Sequence, residues 1–291
     1  MKTNPVYRRE IMVSARSFRL ALILMVFNGI LALVALLNMY STLAQVRMTA
    51  EVQYTSFLDL YLFVAGLEFV MLIGIMPAIT AGSISGERER QTLELLMATR
   101  LTPAQIVGGK LTAALSTMAL LIVSSFPVLA MMFVYGGVTA RDIGLLLLCY
   151  AAAAWLAGSL GIFCSAICRR TTTSTVAAYA VMGAMVLGTY GVNQFAYYMS
   201  GMRTASHMMA ASQSSGGFLY LMLINPASTF FLMISQLTGR EQVSANVAGW
   251  FGNHGGGVIF SHWILFSIII QVLLAVLLAA GAVRVLERHR T

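Results

Sequence analysis

Glu87, Arg88, Glu89 and Arg90 stand in a row in a chain where charge is scarce, and Glu94 follows them on a leucine-rich run. Carboxylates and guanidiniums at that density can move protons, bind a charged ligand, or make a solvated or partner-facing surface. Proton or nucleophilic chemistry would need a base, a nucleophile or metal ligands gathered in one place. The sequence does not offer them: none of its 4 histidines lies deep in an apolar run, and His-Glu-x-x-His is absent. The 3 cysteines, Cys149, Cys164 and Cys168, all fall in one apolar stretch. Cys164 and Cys168 share a helix face, but too few further ligands are close in sequence, so they read as small hydrophobes. His207, His254 and His262 could assemble a metal or pH-sensing site; exposed or interfacial histidines are the plainer reading. Gly108-Gly109-Lys110-Leu111 lacks the earlier glycine and the hydroxyl of a phosphate-binding loop. No enzyme activity, metal or cofactor is therefore expected in this chain.

Two further sets of polar residues lie within apolar runs. Glu68 is the only acid deep in one. Its charged form costs at least ~3 kcal/mol at mid-bilayer, so it must be protonated, paired or facing water. Recognition of a cationic substrate and a structural hydrogen bond are both open. Tyr190, Asn193, Gln194 and Tyr197 recur at i, i+3, i+4 and i+7. Polar groups facing lipid cost energy, so the stripe is a candidate lining of a translocation path. An interfacial aromatic belt is the alternative, and Tyr197-Tyr198 suits it.

The elements that must position these residues follow from composition. The 291 residues are 59% apolar and 10% charged, against about 25% charged in a soluble domain. Mean hydropathy is +0.83. Lipid is the main solvent of such a chain, and the expected fold is all-α and integral to the membrane. The net charge of +8 does not imply nucleic acid, because no basic patch carries the interleaved aromatics of a single-strand binder.

Six runs are long enough to cross: residues 18–39, 57–81, 105–134, 143–167, 176–199 and 262–283, each of 22 residues or more. About 20 suffice for a ~30 Å hydrocarbon core. The first run is longer than the core of a cleavable signal and reads as a span. A further run, 218–238, is split by Asn225-Pro226 into pieces too short to cross alone. Six crossings put both termini on one side. Of the 18 basic residues only Arg47, Arg141, Arg203 and Arg240 then lie on the other side. The positive-inside rule makes the first side cytoplasmic, which a seventh crossing would violate at the Arg-rich C-terminus. Residues 200–261 thus read as an external segment with a re-entrant hairpin before the last span. Ala153/Ala157/Gly161 and Ala180/Ala184/Gly188 are small-residue stripes that suit close helix packing.

Two cytoplasmic helices complete the outline. Residues 4–16 place Val6, Ile11, Met12 and Ala15 near one helical face, with Arg8, Arg9 and Arg16 mostly elsewhere, which suits an interfacial helix. Residues 86–101 read as a short amphipathic helix with two early glutamates at its positive end and Leu93, Leu96 and Met97 on one side. Thr102-Pro103-Ala104-Gln105 then signals a new helix start. A short helix with one greasy side and no lipid to span wants a protein groove.

Here the residues carry a resemblance. Glu87-Arg88-Glu89, Thr92-Leu93-Glu94-Leu95-Leu96 and the run Ile106–Lys110 resemble the signature of permease subunits of ATP-binding-cassette transporters of the ABC type-2 class, mostly exporters. Asn4-Pro5-Val6 through Arg9-Glu10 looks like the family's opening, and the outline of six spans covers nearly the whole chain. The family often has proline where Arg100 stands. The resemblance implies that 86–101 is a coupling helix, with Glu87, Arg88, Glu89, Thr92, Leu93, Glu94, Leu96 and Met97 meeting a separate ATPase. It implies that Arg8, Arg9 and Glu10 belong to the interfacial helix. It further implies two ATPase subunits holding ATP and Mg, a second permease of the same or different kind, and residence in the cytoplasmic membrane. A hydrophobic or amphipathic cargo suits the outer hairpin. The alternative is a secondary transporter or channel with no ATPase partner.

Overall fold

A computed structural model of the chain describes residues 4–49, 54–99, 101–134, 139–207, 214–237, 247, 250–252, 259 and 262–288. Arg100, His254 and much of the expected external segment lie outside the described residues. Among those described the protein is helical, with a single isolated bridge between Ser214 and Gly252. Helix α1 (Pro5–Ala15) is followed by α2 (Phe18–Thr49), α3 (Tyr54–Thr80), the short α4 (Ser85–Glu89) and α5 (Leu93–Met97), α6 (Pro103–Val134) and α7 (Ala140–Ile167). Next come α8 (Thr171–Gly183), a π-helical turn Ala184–Gly188, α9 (Thr189–His207), a 3₁₀ helix Gly216–Leu223, α10 (Pro226–Leu237) and α11 (Trp263–Arg288).

Among the described residues six helical stretches are long and apolar enough to cross a membrane: Phe18–Ser41, Tyr61–Glu89, Pro103–Pro127, Arg141–Ile167, Thr171–Met202 and Trp263–Arg288. Each of the six expected runs overlaps one of them, with different bounds. The Asn225-Pro226 break is also present: the 3₁₀ helix and α10 meet at 91°. Asn225 causes it in part by capping α10, its Oδ1 accepting from the backbone N–H of Ala227 (2.9 Å) and Ser228 (3.3 Å). Pro226 sits at the first helical position, where its missing N–H costs nothing.

The middle of the bundle is packed by aliphatic and aromatic side chains of α2, α3, α6, α7, α10 and α11. Phe69 and Phe230 stack with centroids 4.2 Å apart and planes 4° from parallel. The small-residue stripe of α7 packs as its spacing suggests. Ala153 and Ala157 are buried, and Gly161 lies against Thr80 so closely that any Cβ there would overlap its hydroxyl. The stripe of the fifth span differs: Ala180, Ala184 and Gly188 are exposed in this chain.

One end of the bundle gathers distant parts of the sequence. Ile84, Leu93, Val107, Leu111, Ile162, Ala166, Ala282 and Leu286 form one buried cluster. It joins the α3–α6 loop, the start of α6 and the C-terminal ends of α7 and α11. Val6 of α1 packs on Gly109 at the same end. Residues near both chain ends therefore share one end of the bundle, as an even number of crossings requires.

Candidate functional site

Lys110 organises that end. Its side chain is 5% exposed, and an ammonium so buried must find partners. It donates to Glu10 Oε1 at 3.2 Å, to Glu87 Oε1 at 2.9 Å and to the Ser83 carbonyl oxygen at 2.9 Å. One cation thereby ties α1, the loop after α3, α4 and α6. The backbone of α6 has to come close to α1 for this. A Cβ on Gly109 would sit 2.8 Å from Val6 Cβ, so only glycine permits the approach. Asn4 secures the other end of the contact: its Oδ1 caps α1 by accepting from Val6 N (3.1 Å), and its Nδ2 donates to the Gln105 carbonyl (2.7 Å). Tyr7 and Ser116 share a hydroxyl–hydroxyl bond of 3.2 Å. On α1 Val6 is buried, and Tyr7, Glu10, Ile11 and Ser14 are half-buried. Met12 and Ala15, expected on the apolar face, are exposed, as are Arg8 and Arg9.

The next two residues of the charged run clamp other helices. Arg88 donates from Nη1 to the Cys168 carbonyl (3.1 Å) and from Nη2 to the Ala166 carbonyl (3.0 Å). These are carbonyls at the C-terminal end of α7, where a cation is favoured by the helix dipole. Glu89 does the mirror-image job on α8, accepting from Thr171 N (3.0 Å) and Thr171 Oγ1 (2.9 Å) at that helix's first residue. Ser165 Oγ accepts from the N–H groups of Ile84 and Ser85, both at 2.9 Å. Glu87, Arg88 and Glu89 therefore bind α6, α7 and α8 respectively.

The expected single helix over 86–101 is instead two short ones separated by Arg90–Thr92. Gln91 takes a left-handed φ of 56°. Thr92 N donates to the Glu87 carbonyl (2.9 Å) and Gln91 N to the Arg88 carbonyl (3.1 Å), a closing motif that usually uses glycine. The turn rotates α5 so that Leu93 is buried in the chain's own cluster, with Met97 packed beside it. Leu96 is half-buried. Outward face Arg90, Gln91, Thr92, Glu94 and Leu95, the last 74% exposed. The apolar stripe read from the sequence thus fills the protein's own groove, and Leu95, off that stripe, is the large apolar side chain offered to solvent. Thr102 and Gln105 form the expected reciprocal cap, Gln105 N donating to Thr102 Oγ1 (3.2 Å) and Thr102 N to Gln105 Oε1 (3.1 Å).

Within the bundle, Glu68 is fully buried. It accepts from Ser125 Oγ at 2.5 Å and, more weakly, from the Tyr150 hydroxyl at 3.5 Å, and its partners are hydroxyls rather than a cation. The polar stripe of the fifth span divides. Tyr190 packs edge-on against Trp250 and Phe251, and Tyr197 tilts against Tyr198. Asn193 is buried and donates to the Thr189 carbonyl (2.9 Å), while its Oδ1 and Gln194 Oε1 are buried without a partner.

A buried polar cluster that sequence reading missed lies beside it. Asn225 Nδ2 donates to the Val186 carbonyl and to Thr189 Oγ1, both at 2.9 Å. Val186 belongs to the π-helical turn, whose altered bonding leaves carbonyls for other donors. Thr229 and Ser267 share a very short hydroxyl contact, Ser267 donates to the Leu223 carbonyl (2.7 Å), and Gln271 Nε2 donates to Thr229 Oγ1 (2.8 Å). Ser267 and Gln271, one turn apart in an apolar run, were the available signal.

Residues 27–283 match the family described as ABC-2 family transporter protein. The chain belongs to that family and is its membrane-embedded permease component. Members of the family generally work with ATPase subunits. Among curated proteins no match is found.

Proposed function

We propose that this chain is the permease subunit of an ATP-driven exporter, paired with a second permease and driven by two separate ATPase subunits that hold ATP and Mg. The observation that carries the reading is the clamping of Glu87, Arg88 and Glu89 to α6, α7 and α8. A loop fixed at three points to three helices transmits a push; a solvated loop would absorb it. The residues that meet the ATPase are then Gln91, Thr92, Glu94 and Leu95, left outward on the turn and on α5. Leu93 and Met97 act from behind, seating α5 on the bundle, with Leu96 at the edge.

In this reading ATP closes the paired ATPases, each pushes its docked α5, and the Thr102–Gln105 cap leaves little slack before α6. Transmission requires that the ATPase bind the two bundle states unequally. The loop end is cytoplasmic, both termini with it, in the cytoplasmic membrane. The kinked 3₁₀–α10 pair then lies in the outer leaflet, where Tyr190, Asn193, Gln194, Tyr197 and the unpaired amide oxygens offer a path to a hydrophobic or amphipathic cargo. Glu68, held by hydroxyls, acts structurally.

Co-purification tests the reading. The full chain should bring down an ATPase, and Leu95→Glu with Glu94→Lys should release it while leaving the permease monodisperse. Transport that persists in membranes with no associated ATPase would favour a secondary transporter or channel.

A further inference from the structure

A cavity of about 980 Å³ opens beside the Lys110 junction, between α1, the start of α2, the end of α3 and the α4–α5 loop. Its walls are partly apolar and partly charged. Leu20 and Ile23, in the first turns of α2, and Ala78 and Ile79, in the last turn of α3, are apolar. Both pairs lie in terminal turns of α2 and α3, the helices of the first two candidate spans. Around the other part stand Arg9, Arg19 and Arg90, all exposed and none in an ion pair among the described residues. Lys110, which also lines the cavity, is paired with Glu10 and Glu87, and Glu89 accepts from the N–H and hydroxyl of Thr171 at the start of α8. With Arg9, Arg19, Arg90 and Lys110 against Glu10, Glu87 and Glu89 the lining sums to +1, and its charged side chains outside those contacts are the three arginines. Two wall atoms are buried and without hydrogen-bond partners: Ser83 Oγ, which can donate, and Glu87 Oε2, which can accept.

We propose that this cavity binds one acidic glycerophospholipid from the adjoining leaflet, its phosphate among Arg9, Arg19 and Arg90 and an acyl chain along Leu20, Ile23 and Ile79. Guanidinium groups suit phosphate because their fork of donors matches its oxygens. Ser83 Oγ supplies a further donor. Glu87 Oε2 accepts a hydrogen from the headgroup, so a headgroup carrying hydroxyls fits better than a bare phosphate. A soluble anion would leave the apolar wall unfilled, and a neutral lipid would leave the three arginines unmatched. The bound lipid would brace α1 against the α4–α5 loop.

The test uses the full-length chain in detergent, titrated with phosphatidylglycerol or phosphatidylcholine and read by native mass spectrometry. One phosphatidylglycerol should be retained in preference to phosphatidylcholine. Replacing all three arginines (Arg9→Gln, Arg19→Gln, Arg90→Gln) should weaken retention about a hundred-fold, the summed effect of three cations at a lipid surface. These side chains are exposed, so the variant should stay folded; an unchanged unfolding temperature in lipid-free detergent checks this. Ile79→Trp, which fills the apolar wall without altering charge, should also reduce retention. Equal retention of the two lipids, or undiminished binding in the triple variant, would overturn the proposal. So would competition by soluble glycerol phosphate as strong as by the lipid, which would assign the site to a free anion.

Discussion

Replacing Lys110 by Met keeps the apolar stem of the side chain and removes only the ammonium. Glu10 and Glu87 then face each other's charge with no cation, and the Ser83 carbonyl loses its donor. Breaking a buried ion pair by removing one partner costs about 3–5 kcal/mol. The two glutamates are 32% and 19% exposed, so water recovers part of that, and a loss of about 2–3 kcal/mol is expected. Reversible unfolding of the purified chain in mixed micelles, titrated with SDS, measures it. Glu87→Gln in the Lys110→Met background should restore part of the loss, because it removes an orphaned charge. The double-mutant cycle should show a coupling of at least about 1 kcal/mol. Equal stability of wild type and Lys110→Met, or strictly additive effects, would refute the three-way junction.

Three other outcomes follow from the packing. Gly109→Ala should destabilise by about 1–3 kcal/mol through overlap with Val6 Cβ, and Val6→Ala, which keeps that Cβ, should relieve little of it, whereas Val6→Gly should relieve the overlap itself, measured by the same titration. Asn225→Ala should cost about 2–3 kcal/mol by leaving the Val186 carbonyl and α10's first N–H groups without partners, and should speed hydrogen exchange at 227–228. Glu68→Gln should change stability by less than about 1 kcal/mol, since an amide oxygen still accepts from Ser125, whereas Glu68→Lys should abolish the folded chain.

Much of the bundle was legible because span length is set by bilayer thickness, and apolar runs of 22 residues or more have few other uses. The break at Asn225-Pro226 and the Thr102–Gln105 cap were legible because each is a local rule satisfied within a few residues. The direction in which α5 faces was not. Spacing says that Leu93 and Met97 share a side, but not whether the groove they fill belongs to this chain or another. The rotation depends on Gln91 adopting a conformation expected of glycine. The roles of Glu87, Arg88 and Glu89 were hidden for a different reason. Their partners Lys110, Cys168 and Thr171 lie far along the chain, and nothing in a run of charges tells which of them look inward. The cluster around Asn225 depends on a π-helical turn at 184–188, which has no strong sequence signature.

The outward face of α5 is the point on which the functional account turns, and site-specific photo-crosslinking in native membranes addresses it directly. A photoreactive residue at position 95 should capture the ATPase subunit. The same residue at position 218, on the 3₁₀ helix, should not. Capture at 218 with none at 95 would contradict the account, because it would place the loop end of the bundle on the side away from the nucleotide.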